Sequence, residues 1–594
     1  MADAVPDAVP DPVPDPVPEV PPDVLDDVPP GVADPAAGPE PVGRVVGTDE
    51  ARPLAFSVAL APGRSLQLDD VVVCRRALPD GTTVTLSGVV TDLRARHEGA
   101  QYPSDVFLAA DGVLPVGMAE VADVAVSRVE PERYVPPLPG TEVRRAAAGE
   151  REHALYFDQM EAKVPAGLGR DGEPLYLNLE FLDGTRGAHV NISGVSGVAT
   201  KTSYATFLLY GLFTSGVLGA AGANARALVF NVKGEDLLHL DRPNTRLPPD
   251  AAEAYRRLGL APGPFPSVGV YAPPRRGDPN AGPDVTGRAA GVQVYYWTLE
   301  DFVEGELLPF VFADVEDERQ QYTMVVHHLT AKLRREGQAA GDGAWQVGGV
   351  TLRTYRELVD FCTERVTDED TMRDWAGQAI GSGTANAFVR RLRSSQRALD
   401  RLVRADVPVR ADRRIRTDDG PQVVVVDLHT LHDRAQRFVV GVTLAQAFTE
   451  KETRGGRLPL EFVVLDELNK YAPREGSSPI KEIILDIAER GRSLGIVLIG
   501  AQQTASEVER RVIANSAVRV AGRLDPAEAA RPEYGFLPPS HRDRARIAKP
   551  GTMFVSQPEL PVPLVAEFPF PAWATRPEEA AAASAGDPFA RFGG

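Results

Sequence analysis

The sequence predicts an α/β fold: a parallel sheet covered on both faces, preceded by a small β-barrel, interrupted by a helical insertion and flanked by disordered ends. Three observations carry this. Residues 422–427, 461–466 and 495–502 are near-continuous apolar runs separated by helical stretches, the pattern of strands buried on both faces. Residues 43 to about 135 hold short β-branched runs with Gly, Pro and Asp turns at close intervals, as in a small barrel. The first residues repeat Asp-x-Val-Pro with period four, and Pro at that density forbids helix and interrupts sheet ladders.

The charge follows the same division. The net charge is −19, yet residues 1–42 carry ten acids and no Lys or Arg, so about half of the excess belongs to the arm. That arm lacks the basic start and apolar core of a signal peptide. Cys74 and Cys362 are far apart, without disulfide or zinc spacing, which suits a reducing cytoplasmic setting. Residues 206–223 run 18 positions without a charge. They contain Gly211, Gly216, Gly219 and Gly222, so a buried helix and a Gly-rich turn are expected there, and no membrane span.

In the barrel region the expected strands are 44–47, 54–60, 70–74, 82–90 and 119–126, and the Pro-rich 134–140 stretch reads as a hinge. From Leu175 strands alternate with helices: 175–179, 189–192, 225–232, and then the three apolar runs already named. Between them, from about 315 to 409, helical patterns take over, including 320–335 and 385–403. Ligand is expected at the carboxyl ends of the parallel strands.

The chemistry begins at 191–203, Asn-Ile-Ser-Gly-Val-Ser-Gly-Val-Ala-Thr-Lys-Thr-Ser, between an apolar strand and an apolar helix. That order sets backbone N–H groups and a helix N-terminus around an anion, with an ammonium and a hydroxyl beside them. As a P-loop it assigns phosphate contacts to Gly194, Ser196, Gly197, Val198, Ala199, Thr200, Lys201, Thr202 and Ser203. The spacing departs from the usual one: six residues separate Gly194 from Lys201, and Thr200 stands where Gly is expected. A strand-to-helix turn that happens to end in Lys-Thr is the alternative. Asp466 and Glu467 close the 461–466 strand, where Asp466 would support Mg²⁺ with Thr202 and Glu467 would polarise the attacking water. Gln502 closes another strand, placed to sense a terminal phosphate.

The insertion ends in an unusual charge. From 390 to 416 there are ten arginines against three acids, a local balance of +7. Such a patch can neutralise nucleic-acid phosphates, and Arg390, Arg391 and Arg393 are the candidate DNA contacts. A solvated helix face, or pairing with acidic surface on a neighbouring subunit, is the alternative.

With these elements in place the chain resembles the HerA family of hexameric DNA translocases, within the HerA/FtsK group of P-loop ATPases, over roughly residues 43–569. The likeness rests on the barrel, on 186–194 entering the P-loop and on Asn231-Val-Lys-Gly-Glu-Asp after the next strand. It continues with 426–431, 434–441, the Asp466-Glu467 strand and 488–495 ahead of the Gln502 strand. The resemblance implies a RecA-like (ASCE) ATPase domain with ATP and Mg²⁺ as its ligands. It also implies Lys201 and Thr202 on phosphate and metal, Asp466 on the metal, Glu467 as the catalytic carboxylate and Gln502 as sensor. Arg492 becomes the first candidate for a finger reaching the next subunit's γ-phosphate, with Arg490, Arg511 and Arg523 as competitors.

The expected division is a disordered arm over 1–42, a barrel over 43–138, a first ATPase part over 139–314, the insertion over 315–409, a second ATPase part over 410–575 and a disordered tail over 576–594. The function expected is a ring-forming, cytoplasmic ATPase that moves DNA, double-stranded in this family, as a homo-oligomer with the family's six subunits. A nuclease or other effector partner is implied by the resemblance only. The rival reading is a nucleotide-binding assembly platform that regulates a partner protein. A third, an ATPase feeding a secretion pore, is disfavoured by the lack of a membrane anchor.

Overall fold

The computed structural model describes residues 40–195, 201–288, 290–312, 320–416 and 420–580. The repeating arm up to residue 39 and the tail from 581 lie outside the described residues. Residues 576–580, expected as tail, are part of the fold: Glu579 accepts from both Thr575 N and Thr575 Oγ1 at 2.9 Å.

The centre is one mixed sheet of twelve strands. Eight run parallel, in the spatial order Val292–Val294, Val268–Ala272, Val423–Asp427, Arg226–Asn231, Glu461–Asp466, Ile496–Gln502, Val190–Ser193 and Val518–Ala521. Four antiparallel strands extend it: Thr552–Ser556, Leu564–Glu567, Lys163–Leu168 and Pro174–Asn178. The Ile496–Gln502 strand lies between the one that leads into the Lys201 helix and the one that ends at Asp466. This is the P-loop NTPase fold in its form with an added central strand. Alternation explains why the strands look uniformly apolar: Leu228 and Phe230 face one core, Ala227 and Val229 the other.

One face is covered by the helix Lys201–Thr214, buried almost all round, together with the carboxyl-terminal segment around Trp573. The other face receives the helices Asp433–Arg454 and Pro479–Leu494 and the inserted segment. The insertion contains the helices Gln320–Glu336, Tyr355–Thr367 and Ser382–Leu399, and also a small three-stranded sheet, 337–352, that the sequence reading did not anticipate. Among the described residues no helix is long and apolar enough to cross a membrane.

The barrel is closed by six antiparallel strands, in the order Pro41–Val45, Ala55–Leu60, Gly117–Glu130, Thr83–Glu98, Val71–Ala77 and Glu142–Arg145. The last strand pairs with the first, Arg44 opposite Glu142, so the Pro-rich stretch expected as a hinge instead joins two barrel strands. The barrel is keyed to the sheet by Arg544, which donates to both carboxylate oxygens of Asp69 at 2.7 Å. Asp69 itself sits in the left-handed region at φ 74°.

Two histidines are held neutral by burial. His541, beside Asp69 and Arg544 and edge-on to Phe554, has its pKa pushed down to about 4. His189, whose Nδ1 accepts from Leu498 N at 2.9 Å, is pushed to about 4 in the same way. In the unfolded chain both would titrate near 6.5. As pH falls from about 6.5 towards 4 the unfolded state binds protons that the fold refuses, so stability falls over that window and levels off below it. Each histidine is expected to contribute about 2 kcal/mol of destabilisation at pH 5. Thermal melts at pH 7 and pH 5 should show the His541→Phe variant losing less on acidification than the wild type.

Candidate nucleotide site

The parallel strands end at one rim, and register fixes which side chains meet there. Asn231 lies opposite Asp427, and Asp466 opposite Ala501, one residue short of Gln502. Of the expected phosphate-binding loop, Gly194 and Lys201 to Ser203 are described, while Ser196, Gly197, Val198, Ala199 and Thr200 lie outside the described residues. Val195 N is held to Arg523 O at 2.7 Å, so the strand's exit is pinned to its neighbour.

Lys201, the first residue of its helix, is 6 % exposed and donates from Nζ to Gly194 O at 2.9 Å. Burial lowers its pKa, Asp466 and Glu467 work against that shift, and Lys233 adds to it. Thr202 Oγ1 donates to Asp466 Oδ2 at 3.0 Å, bringing together the hydroxyl and carboxylate expected to hold a metal. Both are hard oxygen donors. A magnesium ion that keeps most of its waters needs few protein ligands, so this pair suits one. Lys201, Thr202, Ser203, Asn231, Lys233 and Asp466 line a common cavity of about 220 Å³. Lys201 and Lys233 bring two cationic residues to one cavity, an arrangement that suits a polyphosphate.

Glu467 is mostly buried, and its backbone lies in the left-handed region at φ 55°. A non-glycine residue pays of order 1 kcal/mol or more for that conformation. Its carboxylate is ion-paired to Lys233 and, at 2.5 Å, to Lys470. Burial alone would raise its pKa; the two lysines outweigh that and hold it below the ordinary carboxylate value. Lys233 lies in the strand-end stretch 231–236, and the sequence alone assigns it no role. Its ion pair depends on tertiary placement, and the one available signal was a lysine just past the end of an apolar strand.

Gln502 stands at the same rim but is fully buried, with Nε2 donating to Asn191 Oδ1 at 2.9 Å. Its amide is therefore bound to the neighbouring strand, away from the cavity. Arg492 lies elsewhere. Its helix is stopped by Gly495 at φ 71°, and the strand that follows starts opposite Glu461, at the far edge of the sheet. Five residues separate that edge from the rim, about 17 Å at roughly 3.3 Å per residue. There Arg492 donates to Gly184 O at 3.2 Å and Thr185 O at 2.8 Å. Among its competitors, Arg490 pairs with Glu452 and Arg511 with Glu489. Arg523, whose backbone carbonyl lies beside Gly194, is exposed, and its guanidinium makes no ion pair or hydrogen bond among the described residues.

A scan against protein-family models finds no match. No curated protein matches either. Solved structures do resemble the chain at low identity. The plasmid coupling protein TrwB in complex with ADP and Mg²⁺ is 11 % identical over 74 % of this chain and 96 % of that one, with a TM-score of 0.44. VirB4 of Thermoanaerobacter pseudethanolicus is 15 % identical over 69 % of this chain and 96 % of that one, with a TM-score of 0.41. The genome-packaging NTPase B204 of Sulfolobus turreted icosahedral virus 2, with AMPPCP, is 14 % identical over 23 % of this chain and 63 % of that one, with a TM-score of 0.18.

The arginine-rich segment sorts itself by helix phase. Phe388, Val389, Leu392 and Leu399 are buried, and Arg390, Arg393 and Arg397 form the opposite, exposed face without ion pairs or hydrogen bonds among the described residues. Arg391 falls between, half-buried, with its guanidinium 4.9 Å from the Tyr322 ring centre. Most of the others are neutralised: Arg401 on Asp284, Arg404 on Asp406, Arg410 on Asp412, and Arg413 and Arg414 on Asp301. The exposed face is therefore Arg390, Arg393 and Arg397; of the expected Arg390, Arg391 and Arg393, Arg391 lies off it and Arg397 joins it. Arg397 also borders an open basin of about 970 Å³ with Arg276 and Arg356.

Proposed function

We propose that the chain is an ATPase of the DNA-moving, HerA-like kind, which hydrolyses ATP with Mg²⁺ and acts as a ring of identical subunits. One observation carries the reading: the Thr202 hydroxyl meets the Asp466 carboxylate at 3.0 Å, with Lys201 lining the same cavity and Glu467 next in the chain. Mg²⁺, when bound, draws charge from the phosphate oxygens. Lys201 neutralises phosphate charge, Thr202 and Asp466 hold the metal and its waters, and Glu467 takes a proton from the attacking water. Gln502 reports the occupied state by giving up its bond to Asn191. Arg492 acts across a subunit boundary only after leaving the Gly184 and Thr185 carbonyls. DNA phosphates lie along Arg390, Arg393 and Arg397. Six subunits, double-stranded DNA and an effector such as a nuclease are carried over from the family resemblance.

ATP turnover measured with and without duplex DNA, beside native mass in solution, tests this. The expected result is several-fold stimulation by DNA, lost as salt rises, in a multimer of identical chains. Turnover that DNA leaves unchanged would favour a platform that regulates a partner protein.

A further inference from the structure

The geometry points to Lys233 as a partner-exchanging lysine: it holds Glu467 while the site is empty and releases it to bind the terminal phosphate of a nucleoside triphosphate. This inference rests on the ATPase reading above and adds to it a device that ties release of the base to the arrival of substrate.

Four observations support it. Lys233 lines the same cavity as Lys201, Thr202 and Asp466, so it already borders the space that phosphate would fill. Its present partner is Glu467, and that carboxylate has Lys470 as a second cation. Glu467 is thus held between two ammonium groups, one on each carboxylate oxygen, and of the two lysines Lys233 is the one that lines the cavity and can be drawn to a phosphate there. Lys470 belongs to Glu467's own short helix, Leu468–Tyr471, and can keep the carboxylate aimed after the exchange.

The turn that carries Lys233 is built to hold its position. Asn231 Nδ2 donates to Asp427 Oδ1 at 2.8 Å and to Gly234 O at 2.8 Å, tying the strand end to its neighbour and to the turn. Gly234 takes the left-handed conformation at φ 58° that lets the chain fold back there. The Lys233 side chain is itself 52 % exposed, which leaves it room to swing. On the other side of the pair, the left-handed backbone of Glu467 is a local strain of the kind kept where function needs it. A diphosphate lacks the terminal group that Lys233 would take. Lys233 should therefore discriminate triphosphate from diphosphate, whereas Lys201 should serve both.

The test is equilibrium binding of a fluorescent non-hydrolysable ATP analogue and of fluorescent ADP, both with Mg²⁺, to the full chain. The variants are Lys233→Met, Lys233→Arg and Lys470→Met, with folding checked by circular dichroism. Lys233→Met is expected to shrink the triphosphate-to-diphosphate affinity ratio about tenfold, the loss of roughly one charge-assisted contact. Lys233→Arg should restore most of the ratio, and Lys470→Met should keep it within about twofold of wild type. An unchanged ratio in folded Lys233→Met overturns the exchange while leaving the ATPase reading intact. A wild-type chain that binds neither nucleotide overturns both.

Discussion

Lys201→Ala is expected to abolish nucleotide binding and turnover together, whereas Glu467→Gln is expected to bind ATP and fail to hydrolyse it. The two residues sit at one rim but do different work. Lys201 is almost fully buried and lines the cavity beside Thr202. Removing it takes away binding to any phosphate. In the proposed reaction Glu467 is the proton acceptor, and general-base catalysis typically accounts for about 10² to 10⁴ in rate. Its amide counterpart keeps the shape and can still accept a hydrogen bond from Lys233 or Lys470 without their full ion pairs. Fluorescent-nucleotide titration beside phosphate release separates the two effects. Loss of ATP binding in a well-folded Glu467→Gln would contradict the role assigned to Glu467.

Reversing the exposed arginine face, Arg390, Arg393 and Arg397 together to Glu, is expected to remove DNA binding and its stimulation of turnover while leaving DNA-free ATPase activity near wild type. Each phosphate contact contributes about 0.9 to the slope of log affinity against log salt, so three should flatten it by nearly 3. At about 0.1 M salt the affinity should fall at least a hundredfold, since charge is reversed as well as removed. Arg391→Glu is the informative contrast. Its guanidinium packs on Tyr322, an arrangement of order 1 kcal/mol, so that variant should melt earlier. If the triple variant keeps the wild-type salt slope, the DNA face has been misassigned and the partner-regulating platform becomes the better reading.

What the sequence revealed, and what it hid, follows from burial. The strands 423–427, 461–466 and 496–502 were readable because packing on both faces makes them apolar without alternation. The edge strand Val292–Val294 and its neighbour Val268–Ala272 escape the sequence reading, being short and, in the first, carrying an exposed Gln293. The last barrel strand, Glu142–Arg145, buries only Val143, so three charged residues concealed it. At the site, Lys201, Thr202, Asp466 and Glu467 announce themselves by their position after apolar strands. Lys233 does not, because its ion pair joins segments more than two hundred residues apart. The phase of the arginine helix was legible in principle: the apolar residues at 388, 392 and 399 already mark Arg390, Arg393 and Arg397 as lying away from them.

The inserted helices share their interior with the sheet instead of enclosing one of their own. Phe388 and Leu392 from the arginine helix and Leu228, Phe230 and Leu465 from the sheet belong to a single buried cluster. Within it the Ser395 hydroxyl meets Tyr355 at 2.7 Å, the Tyr355 ring meets Phe302, and Phe302 stacks on Phe438 in the helix that follows the Asp427 strand. Close-packed interiors are stiff. A force applied at the arginine face would thus pass into the sheet through contiguous buried side chains, as along the arm of a stiff lever.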